Sequence, residues 1–394
     1  AGWASIPKDL VALLKPDDLP EGAFYITYED FFERFDRIYL CKVIPRDWKS
    51  TSATGIWSKA TAGGCTNYAT WIYNPQFAVV CSEATDAYII LDQAESRRGG
   101  AKEEYHAIGF YVFRNVPRGS AQGKVVRRAL RFDKDNLFSQ TAYCNMRERN
   151  RMVTLEKCGY DNPYVIVPTI FEPEKKGAFK VTIVSQKPVE LLPIQPDTDW
   201  VEESAAGKWT EALSGGCNNF DTWKQNPQFK LQLDKAQTLF IRVTQPYAKE
   251  LPAIGYHILG DGDVTQTGRV VETTKTFMAN DSVGQFVQLQ PSKQPYTILP
   301  TTFRPGHVGA FRLHVFGEHK GTFSVREATA KDPSPFSGQP SPSAPRLNSF
   351  SVSPKDLAVL QEMGFSASEA RQALLAVGDE GVEAAVAWLM SRQS

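Results

Sequence analysis

The feature that most constrains this chain is an internal repeat. A segment with tryptophans, a Gly-Gly-Cys and an Asn-Pro-Gln-Phe occurs twice, with matching residues 152 positions apart. Two later blocks repeat at separations of 146 and 132 positions, so the first copy carries about 20 extra residues in its middle. Chance would not keep so many features in order, so the chain contains two copies of one domain. The repeated residues include Trp57 and Trp209, Cys65 and Cys217, Trp71 and Trp223, and Phe77 and Phe229.

Each copy is predicted to be an antiparallel β-sandwich. Runs of β-branched and aromatic residues, such as 164–167 and 238–243, are bounded by Gly and Pro, which is typical of strands. Many short strands within about 140 residues favour a sandwich or a barrel. We therefore expect a mainly β chain, with copy one at residues 46–188 and copy two at residues 196–328.

The two ends lie outside the repeat. Residues 1–45 are interpreted as an α/β remnant of a larger domain, with a strand at 21–27 and a helix at 28–35 whose apolar face the remnant cannot bury alone. The chain is accordingly expected to be a fragment or a processed form. Residues 331–354 contain six prolines and seven serines, which predicts a flexible tether. Helical spacing in residues 355–394 predicts three short helices.

Composition limits the partners and the compartment. The chain has 44 basic and 44 acidic residues, so no global field attracts nucleic acid or an anionic membrane. No stretch approaches the roughly 20 apolar residues of a membrane-spanning helix. Six cysteines without a C-x-x-C pair fit neither a small disulfide scaffold nor a zinc framework. We expect reduced thiols and a cytoplasmic protein, with association to the cytoskeleton left open.

The repeat argues against catalysis by Cys65 and Cys217. A nucleophilic cysteine needs a base beside it, and the histidines of the two copies do not match: His257 aligns with Tyr111, and His314 with Thr182. We therefore favour structural roles for both cysteines. The spacings of the histidines in copy two suit no standard metal site, so neither a metal nor another cofactor is expected.

Three segments together resemble calpains. Residues 24–32 resemble the last segment of the calpain cysteine-protease core, and the Trp-(x7)-Cys-(x5)-Trp-(x2)-Asn-Pro-Gln-Phe pattern resembles the C2-like β-sandwich that follows it. Met363-Gly364-Phe365 within the three-helix pattern resembles a ubiquitin-associated (UBA) domain. The resemblance implies a papain-like core upstream, with a Cys, His and Asn triad that does not lie in these residues. This chain is thus expected to be inactive alone, and the resemblance leaves two parents open: a calpain-type cysteine endopeptidase or a calpain relative without proteolysis.

The resemblance also bears on calcium. Classical calpain sandwiches carry a dense acidic loop after Asn-Pro-Gln-Phe, whereas copy one offers Glu83 and Asp86 and copy two only Asp234. No Asp-x-Asp-x-Asp-Gly loop is present to bind calcium in the manner of an EF-hand. We do not expect calcium binding by either route.

Two binding sites are predicted. A ubiquitin-binding patch of the UBA-like module would comprise Met363, Gly364, Phe365, Leu389 and Met390. The alternative is that Met363 and Phe365 only complete a minimal core. The second site is the basic segment 114–151, which contains the extra residues of copy one and has ten basic residues against three acids. Its predicted patch is formed by Arg118, Lys124, Arg127, Arg128 and Arg131.

The basic segment leaves two interpretations open. It could dock an anionic lipid or an acidic, for instance cytoskeletal, protein surface, or it could be a solvated loop. Aromatic residues are sparse there, so nucleic acid is not an expected partner. For the whole chain we carry two hypotheses: a regulatory, substrate-recruiting region of a calpain-like endopeptidase, and a non-proteolytic scaffold related to calpains.

Overall fold

The structure is a computed structural model of residues 1–394. Strands dominate it, and every pair of neighbouring strands is antiparallel. The residues that it describes are 3, 6–36, 43–94, 97–98, 101–102, 105–133, 135–260, 269–274, 276–332, 359–361, 363, 365, 370, 373–374, 382 and 385–386.

The N-terminal segment forms two short helices. Helix α1 spans Lys8–Leu14, a 3₁₀ turn follows at Pro16–Asp18, and α2 spans Tyr28–Arg34. The Thr27 hydroxyl caps α2 by accepting a hydrogen bond from the Asp30 N–H at 3.1 Å. The predicted helix is confirmed. The predicted strand at 21–27 is wrong, because these residues have no neighbouring strand with which to form a ladder.

Copy one forms two facing sheets. Sheet A has the order β1-β11-β3-β9, and sheet B has the order β12-β2-β10-β6-β7 with β8 beside β6. A separate pair, β4 and β5, forms a small ribbon. The strands are β1 (Lys49–Trp57), β2 (Phe77–Cys81), β3 (Thr85–Gln93), β4 (Arg97–Arg98), β5 (Ala101–Lys102), β6 (Ala107–Phe113), β7 (Leu137–Gln140), β8 (Cys144–Asn145), β9 (Glu148–Leu155), β10 (Tyr164–Ile170), β11 (Gly177–Ser185) and β12 (Val189–Pro193).

Copy two repeats this topology. Sheet C has the order β13-β20-β15-β18 and sheet D the order β17-β16-β19-β14-β21, which are the strand orders of sheets A and B in turn. The prediction of two antiparallel sandwiches is therefore confirmed. The strands are β13 (Val201–Trp209), β14 (Phe229–Leu233), β15 (Gln237–Thr244), β16 (Ile254–Gly260), β17 (Arg269–Thr273), β18 (Ser282–Leu289), β19 (Tyr296–Thr302), β20 (Gly309–Gly317) and β21 (Phe323–Glu327).

Each sandwich has its own core, into which alternate strand residues point. In β3 the burial alternates strictly, as expected for a strand with one face on the core. Trp57 and Trp209 are fully buried at equivalent places, and each donates its indole N–H to a proline carbonyl, that of Pro168 at 3.1 Å and that of Pro300 at 3.0 Å. The repeated tryptophans thus fill the core and connect its two sheets.

The Asn-Pro-Gln-Phe motif fixes the Gly-Gly turn in both copies. The Asn74 side chain accepts from the Gly63 N–H and donates to the Gly64 carbonyl, at 3.1 and 2.8 Å. Asn226 donates to the Gly216 carbonyl in the same way at 2.8 Å. Gly64 and Gly216 have φ of +78° and +77°, a conformation that favours glycine. The two motifs recur together because one holds the other in place.

Most of the described positions in the C-terminal module are helical. Residues 359–361, 370, 373–374, 382 and 385–386 are helical, and residue 363 lies in a turn. Leu360, Leu374 and three alanines form a small core, against which Phe365, Val382 and Val386 pack. Residues 333–354 of the predicted tether lie outside the described residues.

Candidate functional site

The repeated cysteines are buried in both sandwiches. Cys65 is 2% exposed and Cys217 1% exposed. Burial raises the pKa of each thiol, although main-chain hydrogen bonds partly oppose the increase. A raised pKa disfavours the thiolate, which is the nucleophilic form of cysteine. Their surroundings therefore suit packing rather than catalysis.

A third apolar cluster lies between the two sandwiches. It joins the outer face of sheet B to the outer face of sheet C, where Phe240 and Phe316 point away from the core of copy two. Trp200, from the connection between the copies, is 2% exposed and belongs to the same cluster. We call this cluster the inter-sandwich interface. Its other buried members are Trp71, Ile72, Ala78, Tyr111, Phe113, Val116, Val126, Ala129, Leu130, Val165 and Val167.

The basic segment of copy one supplies much of this interface. Arg127 is 5% exposed, and its guanidinium lies 4.6 Å from the centre of the Trp200 ring. Arg128 forms an ion pair with Asp199 at 2.7 Å, and its carbonyl accepts from the Trp200 indole N–H at 3.2 Å. The segment is thereby bound along the connection between the two sandwiches.

Glu318 of copy two anchors the other end of the segment. Its carboxylate accepts hydrogen bonds from the Ser120 N–H at 2.6 Å and the Thr238 N–H at 2.8 Å, and from the Ser120 hydroxyl. Arg127 lies 3.9 Å from the same carboxylate. Burial would raise the pKa of Glu318, but the Ser120 and Thr238 hydrogen bonds and then the Arg127 charge lower it. The ionised carboxylate therefore joins the two copies.

A 3₁₀ turn of copy one, Ala69–Tyr73, makes a second polar contact with copy two. Arg242, which is 4% exposed, donates to the Ala69 carbonyl at 2.6 Å, and Asp281 accepts from the Ala69 N–H. The Tyr73 hydroxyl donates to Glu202 at 2.9 Å. Polar contacts thus flank the apolar interface on both sides.

The five residues of the predicted basic patch have different surroundings in the structure. Arg127 and Arg128 contact copy two or the connection and are not available as a free surface. Arg118 donates to the Tyr160 carbonyl at 2.6 Å, whereas Lys124 is exposed and lies 5.1 Å from the Tyr160 ring centre. Arg131 is exposed and forms an ion pair with Asp133 at 3.0 Å. An external anion would therefore meet mainly Lys124 and Arg131.

The charge count of the basic segment did not reveal this interface in the sequence. The same segment contains Val116, Val126, Ala129 and Leu130, all of which are buried. These apolar residues were the signal that the segment covers a surface rather than standing in solvent.

The predicted ubiquitin-binding patch is partly described. Met363 is 55% exposed, and Phe365 is half-buried against the small core of the module. Gly364, Leu389 and Met390 lie outside the described residues. An exposed methionine beside a partly buried phenylalanine offers a small apolar surface.

The N-terminal helices leave large apolar side chains exposed. Neither α1 nor α2 buries a residue. Phe24 and Tyr28 are each 72% exposed, and Phe32 is 61% exposed. Patches of this kind often mark surfaces that another protein unit covers.

The part of the chain that the structure describes has neither a membrane-spanning helix nor a cluster of metal-ligating side chains. No helix there is long and apolar enough to cross a membrane. No group of three or more His, Cys, Asp or Glu side chains within the same residues could hold a metal ion.

The fold and the repeated motif define a tandem of C2-like β-sandwiches followed by a small helical module. Comparison with known families gives the particular assignment: the chain belongs to the family described as calpain large subunit, domain III, which matches residues 53–184 and 205–316. These matches cover more than half of the chain. A UBA-like domain family matches residues 354–394.

Curated relatives of the chain include two that are named as a calpain or as calpain-like. The chain is 24% identical over 307 residues to "Putative calpain-like cysteine protease A" of Dictyostelium discoideum, covering 74% of this chain and 44% of the relative. It is 29% identical over 197 residues to the "Calpain-1 catalytic subunit" of Rattus norvegicus, covering 43% and 26%. A third relative, "Serine/threonine-protein kinase 4 homolog B" of Dictyostelium discoideum, is 25% identical over 299 residues, covering 71% and 25%. The chain thus spans less than half the length of each of these relatives.

Similarity to solved structures is weak. PNGase F from Flavobacterium meningosepticum matches with a TM-score of 0.22 and 8% identity, covering 71% of this chain and 99% of that one. This likeness carries no argument about fold or function.

Proposed function

We propose that this chain is the regulatory, substrate-recruiting C-terminal region of a calpain-like cysteine endopeptidase, and that its UBA-like module binds ubiquitin weakly. The observation that carries the proposal is the exposed Met363 beside Phe365, at 55% exposure, within a segment that matches the UBA-like family. A small apolar patch of this kind suits a weak, transient interface.

The two sandwiches would form a rigid body to which the UBA-like module is attached. The inter-sandwich interface joins the two copies into one body, and the tether that the sequence predicts at residues 331–354 would have a reach of about 30 Å. A substrate bound by the module would stay at a high effective concentration near the upstream protease. The exposed apolar face of α2 would pack on that protease core.

Met363→Glu tests ubiquitin recruitment. Burying a methionine side chain contributes about 1.5–3 kcal/mol, so its loss and the new charge should weaken ubiquitin binding at least about 10-fold. Binding to immobilised ubiquitin by the full chain 1–394 would be measured by surface plasmon resonance. Met146→Glu is the matched control, because Met146 is 50% exposed but lies in copy one. Equal binding by both variants and the wild type would contradict the proposal.

A non-proteolytic scaffold is the second candidate. It is favoured by the relative named as a serine/threonine-protein kinase homologue, which matches 71% of this chain although it is not named as a calpain. The tandem would then bind cytoskeletal or membrane-associated partners. The upstream sequence distinguishes the candidates: an intact Cys, His and Asn triad supports the endopeptidase, and a substituted nucleophile supports the scaffold.

We also propose that the sandwiches do not depend on calcium. Glu83 forms an ion pair with Lys187 at 3.7 Å, and Asp86 accepts from the Thr154 hydroxyl at 2.7 Å. A ligand that binds only the folded state raises the thermal midpoint of unfolding. Because we expect the sandwiches not to bind calcium, saturating calcium should change this midpoint by less than about 1 °C. Differential scanning calorimetry with calcium and with a chelator would measure the change. A saturable increase with calcium would contradict this prediction.

A further inference from the structure

Two cysteines of copy one face each other across a pair of neighbouring backbone segments. Cys81 ends β2, and Cys158 lies in the connection between β9 and β10. The Cys81 N–H donates to the Cys158 carbonyl at 3.2 Å, and the Cys158 N–H donates back at 2.8 Å. Residues paired in this way have Cα atoms about 5.5 Å apart, which is within the range that a disulfide spans.

The sulfur atoms already lie close together. The two Sγ atoms are 3.4 Å apart, and neither cysteine forms a disulfide. Cys158 is 8% exposed and Cys81 1% exposed, so a small reagent would reach Cys158 first. A bond between the sulfurs would require a movement of little more than 1 Å, since a disulfide is about 2 Å long.

The two thiols are chemically different. The Cys81 Sγ lies 2.9 Å from the Glu156 carbonyl oxygen and 3.4 Å from the Cys158 Sγ, and its single hydrogen bonds to one of the two at a time. When Cys158 is a thiolate, this hydrogen donates to it. The hydrogen bond with Cys81 lowers the pKa of Cys158, against the effect of burial, and main-chain hydrogen bonds and the Arg114 charge add to the decrease. The same contact, together with burial, raises the pKa of Cys81. Cys158 therefore forms a thiolate more readily and is the better nucleophile, whereas Cys81 remains a thiol that can react with the Cys158 sulfur in a second step.

This pair is not part of what the two copies share. The repeat aligns Cys81 with Leu233, and copy two has one cysteine, Cys217, which matches Cys65. Leu233 fills the core of copy two at 1% exposure. The sandwich fold therefore does not require a thiol at this position, and the close pair in copy one calls for a chemical explanation.

We propose that Cys81 and Cys158 form an oxidation site that takes a hydroperoxide and closes to an intramolecular disulfide. The Cys158 thiolate attacks the terminal peroxide oxygen, the O–O bond breaks, and the leaving oxygen takes a proton to give water or an alcohol. Cys158 is then a sulfenic acid. The Cys81 sulfur attacks the Cys158 sulfur, an S–S bond forms, and the hydroxyl group leaves with the Cys81 proton as water. Two thiols lose two electrons, and the peroxide gains them.

The site is connected to the inter-sandwich interface. The loop after Cys158 carries Tyr160, whose carbonyl accepts from Arg118 and whose ring contacts Lys124. Both basic residues flank Ser120, which binds Glu318 of copy two. A disulfide between Cys158 and Cys81 would link this loop covalently to β2. The surface that the basic segment contacts would thereby become more rigid.

Oxidation of the full chain 1–394 by stoichiometric hydrogen peroxide tests the proposal. After alkylation of free thiols, peptide mass spectrometry is expected to find peptides with Cys81 and Cys158 joined and lighter by two hydrogen atoms. Cys144, which is partly exposed, provides the internal reference and should remain alkylatable at the same dose. The proposal is overturned if Cys144 is oxidised while Cys81 and Cys158 stay free.

Two variants test the order of the steps. Cys81→Ser should stop the reaction at a Cys158 sulfenic acid, trapped by dimedone, whereas Cys158→Ser should leave Cys81 unmodified. Sulfenic acid on Cys81 in the second variant would reverse the assigned roles. Circular dichroism checks that each variant folds, and the wild-type experiment decides the proposal if either does not. Neither cysteine lies in the UBA-like module, so this result is independent of ubiquitin binding.

Discussion

A Glu318→Ala variant is expected to unfold with a free energy about 3–5 kcal/mol lower than that of the wild type. Glu318 is 5% exposed, and its carboxylate binds the N–H groups of Ser120 and Thr238. Without it, these donors lose their acceptor and Arg127 keeps a buried charge with less compensation. Urea denaturation followed by tryptophan fluorescence would measure the loss. Glu250→Ala, in an exposed loop of the same copy, is the control and should change stability by less than about 0.5 kcal/mol.

The Glu318 effect should depend on pH in a defined direction. Because the pKa of Glu318 is lower in the folded state, its contribution is present above the pKa of an unfolded glutamate, about 4.3. The contribution is lost as the pH falls through the lowered folded-state pKa. The difference between wild type and Glu318→Ala should thus be full near pH 7 and shrink in acid. A difference that grows in acid would contradict the assignment of an ionised carboxylate.

A Phe316→Ala variant is expected to have a free energy of unfolding about 3–5 kcal/mol lower than that of the wild type. It should also separate the two sandwiches. Phe316 is fully buried in the inter-sandwich interface, with its ring centre 6.1 Å from that of Phe240. Its loss leaves a cavity between the copies rather than inside either one. Urea denaturation gives the energy, and small-angle X-ray scattering should detect a larger radius of gyration.

Leu313→Ala is the matched control for the interface. Leu313 lies on the same strand, β20, and is equally buried, but its side chain points into the core of copy two. The control should lose a comparable amount of stability, about 2–5 kcal/mol, without changing the separation of the sandwiches. If both folded variants scatter like the wild type, Phe316 does not hold the copies together.

The repeat made the fold predictable from the sequence. Trp57 and Trp209 occupy equivalent core positions with equivalent hydrogen bonds, so aligning the copies located both cores at once. The turn at Gly64 was predictable for the same reason, because Asn74 and the Gly-Gly pair recur together. Duplication supplied a second observation for each local inference.

What the sequence did not predict depends on contacts between distant surfaces. Arg127 looked like part of a free basic patch, and only the fold brings it near Trp200 and Glu318, which is 191 positions away. The wrong prediction of a strand at 21–27 also reflects information that local sequence lacks. A strand needs a neighbouring strand to pair with, and the pattern of this segment does not reveal whether one lies beside it. Local pattern gave the apolar and charged residues, but not the surface that each would meet.

The most direct test of recruitment by the C-terminal module is a titration of isotopically labelled ubiquitin, observed by NMR, with two forms of this chain. One form is residues 1–394, and the other is residues 1–332, which keeps both sandwiches and lacks the tether and the module. Binding of ubiquitin by the module predicts chemical-shift changes on ubiquitin with the longer form and none with the shorter. Equal changes with both forms, or no change with residues 1–394 at millimolar concentration, would contradict it.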